Sequence, residues 1–112
     1  MWTLEQGVET CRALHRIVEP FGFSVALYGG VLVTGTGNDL DVFLVPQREN
    51  ADVRGAVEGI RAGLNCGVNG PYLGHWNRLS CVLRTRPDAI DAQFTRLTAA
   101  PNQVVGTVCY EL

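Results

Sequence analysis

Three aspartates are the residues of this chain whose type and placement could do chemistry. Asp39 and Asp41 stand two apart in Asn38-Asp39-Leu40-Asp41-Val42-Phe43-Leu44-Val45, an otherwise apolar run. Residues two apart in a strand share a face, so the spacing predicts two carboxylates side by side. Such a pair repels, and one pKa rises unless a cation lies between them. A hard divalent ion, Mg2+ or Mn2+, takes these oxygens as ligands. Asp91 is a third acid in an apolar run, Ile90-Asp91-Ala92-Gln93-Phe94. If the two runs are neighbouring strands, Asp39, Asp41 and Asp91 converge on one or two ions. Two ions about 3.5–4 Å apart clamp the attacking and leaving oxygens of a phosphoryl displacement.

The surrounding residues suit a phosphate. Gly29 and Gly30 end an apolar run and lack side chains, so backbone there could approach an anion closely. Successive backbone N–H groups in such a turn form an anion nest. Thr34, Thr36 and Asn38 offer side-chain hydrogen bonds nearby, and Arg84 and Arg86 could neutralise a triphosphate. Tyr72 and Trp76 have ring faces that could stack on a base, although packing is their plainer use. His75, beside Trp76, is read as structural.

Positioning these groups requires a mixed set of elements. Thr3-Leu4-Glu5-Gln6 matches a capping box, and Val8, Cys11, Leu14, Ile17 and Val18 follow at helical spacing. A helix is expected from Leu4 to Glu19, stopped by Pro20 and Gly22. Strands are expected over Phe23–Tyr28, Asp39–Val45, Arg78–Arg86 and Ala89–Thr95, with one more possible over Val104–Tyr110. A second helix is expected over Glu49–Leu64, with Asp52 in its first turn. Its Gly55, Gly59 and Gly63 form a bare stripe that would let it lie close to a sheet. Residues Cys66–Gly74 read as a loop or an irregular strand. The order is α+β: a mixed sheet with helices packed mainly on one face.

Composition narrows the classes. The chain has 112 residues, 46% hydrophobic and 18% charged, as expected of one globular domain. Its net charge of −2 argues against a generally basic nucleic-acid surface. All nine basic residues are arginine, fitting either phosphate-binding forks or GC-rich coding. Cys11, Cys66, Cys81 and Cys109 match no zinc or redox spacing, and read as buried free thiols. With no signal peptide and no long apolar run, a cytoplasmic protein without membrane association is expected.

A glycine pair, a short gap, Asp-x-Asp in a strand and a third Asp in a later strand together resemble the nucleotidyltransferase superfamily. That group includes polymerase-beta-like enzymes, minimal nucleotidyltransferases and CCA-adding enzymes. The likeness rests on Gly29-Gly30, Asp39-Leu40-Asp41 and Asp91. It implies a nucleotidyltransferase-like core that moves a nucleoside monophosphate from an NTP to an acceptor hydroxyl and releases pyrophosphate. It also implies that Asp39, Asp41 and Asp91 hold Mg2+ and that Gly29 and Gly30 face the triphosphate. Asp91 would further help to activate the acceptor hydroxyl. The acceptor could be a protein, a small molecule or an RNA end.

Departures from the pattern support a different reading. Gly30 stands where many relatives have Ser, Asn38 precedes the first Asp where Ser is usual, and no Arg follows the glycine pair. A non-catalytic module of the same fold, binding a nucleotide or a helical partner protein as an antitoxin or inhibitor would, is the alternative. A metal-dependent nuclease is a third reading, weakened by the lack of any lysine. A core this small would borrow a partner or a second copy to complete a base pocket.

Overall fold

A computed structural model describes residues 1–73, 79–85, 88–95 and 109–111. His75, Trp76, Arg78, Arg86 and residues 104–108, all named above, lie outside the described residues.

The first helix begins as its sequence dictates. In α1 (Leu4–Val18) the Gln6 N–H donates to Thr3 Oγ1 at 3.2 Å, and the Thr3 N–H donates to Gln6 Oε1 at 3.1 Å. Two of the four unpaired N–H groups at the helix start are thereby satisfied. Cys11, Leu14 and Val18 line its buried face. The helix stops at Val18, one residue short of the expectation, because Glu19–Phe21 tighten into a 3-10 turn around Pro20. Gly22, at φ +93°, then turns the chain into β2 (Phe23–Tyr28).

A six-stranded mixed sheet organises the molecule. Its strands are β2, β4 (Leu40–Pro46), β5 (Gly67–Leu73), β6 (Leu79–Arg84), β7 (Ile90–Phe94) and β8 (Cys109–Glu111), in the order β5-β6-β7-β4-β2-β8. Only the β4–β7 pair is parallel; every other neighbouring pair runs antiparallel. A separate two-stranded ladder joins β1 (Trp2–Thr3) to β3 (Thr36–Gly37). Two further helices are α2 (Gly30–Thr34) and α3 (Val53–Leu64).

The two sheet faces follow the period-2 pattern. Val25, Leu27, Leu40, Val42, Leu44, Ile90, Ala92 and Phe94 join residues of the three helices in the main core. Ala26, Phe43 and Val45, which alternate with them, form a small second cluster with Tyr28. The described helices therefore cover one face, as expected for this α+β class. Among the described residues, no helix is long and apolar enough to cross a membrane.

Three local expectations are corrected. Asp52 is the N-cap of α3, its carboxylate accepting from the Gly55 N–H at 2.9 Å, and the helix begins only at Val53. The bare stripe on α3 faces α1 and the 3-10 turn rather than the sheet: a Cβ on Gly59 or Gly63 would meet Phe21 or Ile17. Asp39 lies outside β4, in an exposed bend. Thr36 and Gly37 are held by β1, while β4 pairing opens at Leu40, opposite Ile90. Asn38 and Asp39 are the link between two ladders, so they do not obey the alternation of either.

Candidate metal and phosphate site

The pair of acids that the fold brings together is Asp41 and Asp91. They are direct register partners across the parallel β4–β7 pair. On the other side of β4, Tyr28 is the register partner of Asp41. Neighbouring strands lie about 4.8 Å apart, so two half-buried carboxylates stand side by side where β2 ends and β4 and β7 begin.

The electrostatics reflect that crowding. The Asp41 carboxyl is pushed up to about 6, first by burial, then by the charge of Asp91, then by that of Asp39. Both other acids thus act on Asp41, although Asp39 lies outside the strand. Among the described residues, no group of three His, Cys, Asp or Glu side chains is arranged to hold a metal ion as it stands. The donor chemistry nevertheless fits Mg2+ or Mn2+: carboxylate oxygens only, with mutual repulsion that a bound cation would relieve.

Gly29 has a structural use in addition to the phosphate approach expected of it. Its φ of +80° favours glycine, and a Cβ there would lie 3.1 Å from both Cβ and Cγ of Asp41. The missing side chain makes room for the Asp41 carboxylate, whatever else approaches the backbone. Gly30 is exposed, and a Cβ on it would meet nothing within 4 Å. Within the protein itself, the lack of a side chain is therefore required at Gly29 and not at Gly30.

The remaining expected groups divide. Thr34 Oγ1 lies 2.9 Å from both Gly30 O and Thr36 O, so its hydroxyl proton serves the α2 turn rather than pointing outward as a free donor. Asn38 is exposed beside Asp39. Arg84 ends β6 with its guanidinium over Gly67, where it lines a separate cavity. Tyr72 is 45% exposed on the edge strand β5, two strands from Asp91.

Two residues beside the acids were not singled out from sequence. Tyr28, the register partner of Asp41, stacks on Phe43 with centroids 3.8 Å apart and planes 6° apart. Its signal was its place immediately before the glycine pair. Gln93, two residues beyond Asp91, is 7% exposed with Oε1 buried and unpartnered. A polar residue alternating with core positions was its only sequence signal.

No family model matches the chain, and no curated protein matches it. Among solved structures it is similar to CdnC in the E. coli MS115-1 CdnC:HORMA-deltaN complex, at 17% identity and a TM-score of 0.55. The similarity covers 96% of this chain and 41% of CdnC. The α+β fold is shared with that part of CdnC. The chain thus spans well under half the length of CdnC, and the likeness speaks to the fold alone.

Proposed function

We propose that the chain is a nucleotidyltransferase core that uses Asp39, Asp41 and Asp91 with Mg2+ or Mn2+ to move a nucleoside monophosphate from an NTP to an acceptor hydroxyl. The observation that carries this reading is the register pairing of Asp41 with Asp91, with the Asp41 carboxyl raised partly by its two acidic neighbours. Two half-buried acids side by side at the ends of adjacent strands are costly unless they serve a cation. When bound, the ion would neutralise and align phosphate oxygens.

The protein's own groups have separable tasks. Asp91 accepts the proton of the acceptor hydroxyl as its oxygen attacks the α-phosphorus. The bond from that phosphorus to the bridging oxygen breaks, and pyrophosphate leaves with the electron pair. Gly29 keeps the Asp41 carboxylate seated, and exposed Gly30 leaves the start of α2 open to the phosphates. Arg84 stands in its own cavity, so it has no part in this assignment.

The test is Mn2+-dependent binding of ATP followed by calorimetry. Binding is expected for the parent chain and should be lost in Asp41→Asn. Metal-independent binding that survives in Asp41→Asn would overturn the reading. Incubation with labelled ATP, and separately with a labelled oligonucleotide, distinguishes transfer from phosphodiester cleavage.

A non-catalytic module of the same fold is the second reading. It is favoured by the lack of a ready three-acid ligand group among the described residues and by the inward commitment of the Thr34 hydroxyl. The similar CdnC structure is a complex with a HORMA protein, and a protein partner is proposed for this chain under either reading. Co-purification with a defined partner, without nucleotide turnover, would favour the module.

A further inference from the structure

A cavity of about 400 Å³ opens between the ends of α3 and β6 and the start of the chain. Its apolar wall is Trp2 and Leu64; its polar wall is Thr10, Asn65 and Arg84, with Cys66 between them. The volume falls in the range of small-molecule sites and exceeds that of a bare inorganic anion.

Arg84 sets its chemistry. The side chain is exposed, and among the described residues it has no ion pair or hydrogen bond. Its guanidinium is accommodated by Gly67, where a Cβ would sit 2.7 Å from Nε and 3.0 Å from Cζ. A planar fork of N–H donors without a carboxylate partner is suited to an oxyanion. The Asn65 side chain is likewise without a partner among the described residues, whereas the Trp2 indole N–H is already donated to Ala89 O at 3.1 Å. Trp2, only 2% exposed, forms the floor of the cavity, and Asn65 offers amide groups.

We propose that this cavity binds a small organic oxyanion, a phosphate monoester or a carboxylate, with the anionic group on Arg84 and the organic body against Leu64, over the floor that Trp2 forms. The site is distinct from the acid pair and does not depend on the metal reading. A purely structural role for Arg84 is the competing account, since α3 ends beside it and a cation suits a helix C-terminus.

The experiment is an NMR titration of 15N-labelled protein in EDTA with AMP, inorganic phosphate or benzoate, following the Trp2 indole and the Asn65, Cys66 and Gly67 amides. Saturable shifts confined to these signals are expected, with affinity at least tenfold weaker in Arg84→Gln and partly restored in Arg84→Lys. AMP binding without benzoate binding assigns a phosphate, and the converse a carboxylate. Asp41→Asn should leave these shifts unchanged. No saturable shift with any probe, or equal shifts in Arg84→Gln, overturns the proposal. So does an Arg84→Gln variant that merely melts earlier with its titration unaltered.

Discussion

Asp41 is where the physics of this chain is most concentrated. Its carboxyl titrates near 6 in the folded state, above the ordinary range of about 3.9 in an unfolded chain. The folded state therefore holds this proton more tightly, and between those values it binds more protons than the unfolded state. Stability contributed by the protonated form is present below about pH 4 and is lost as pH rises through about 6. Thermal melts of metal-free protein should show Asp41 lowering Tm across that window, and Asp41→Asn should remove this component. At pH 7.5 the same variant should be more stable than the parent by roughly 1 kcal/mol, a figure discounted for partial exposure. Saturating Mg2+ should erase that advantage by stabilising only the parent. The two glycines beside it should respond oppositely to alanine. Gly29→Ala combines a disfavoured φ with a collision against Asp41 and should cost about 1–3 kcal/mol. Gly30→Ala meets open space and should change Tm little. The thiols also separate: burial pushes Cys11 and Cys81 up to about 12, so Cys66 should label first of these three with a thiol reagent at pH 8.

At the level of elements, the helices are held by caps and by close approach. Thr3→Ala removes the oxygen that accepts the Gln6 N–H and should cost about 1 kcal/mol in a denaturant melt. Gly55→Ala poses a contest. Alanine raises helix propensity by about 1 kcal/mol, but the new Cβ would lie 2.7 Å from Phe21 Cε1 and crowd the capping Asp52. The collision should win, and the variant should be destabilised. A gain in stability would mean that α3 sits less tightly on the 3-10 turn than described. Much of this level was legible beforehand. The capping box, the strand Phe23–Tyr28 and the core positions Ile90, Ala92 and Phe94 all agree with the structure, because each depends on residues a few positions apart. The start of α3 was less legible. Asp52 carries the same carboxylate whether it caps α3 or lies in its first turn, and only the backbone dihedrals distinguish those roles.

Across the whole molecule, β4 is the strand on which the rest depends. It is flanked by β2 and β7, and both of its faces are buried along Val42–Val45. Amide exchange should be slowest in β4 and in the adjoining parts of β2 and β7, and fastest among the sheet strands in edge strand β5. Fast exchange in β4 would contradict that hierarchy. The edge formed by β5 is broken at Gly70-Pro71, where the missing proline N–H and a register shift interrupt the ladder. Such an interruption discourages pairing with another chain.

Alternation, capping and chain-turning residues were enough to determine an α+β chain with acids placed in apolar strands, since those preferences are settled between near neighbours. Tertiary structure alone decided that β7 lies parallel to β4 with Asp91 opposite Asp41. It also assigned Asp39 to a link between ladders, placed Gly29 against a carboxylate and turned Arg84 into a cavity of its own. Each of those outcomes depends on which distant segments share hydrogen bonds and which side chains then compete for the same space, and local spacing carries no record of either.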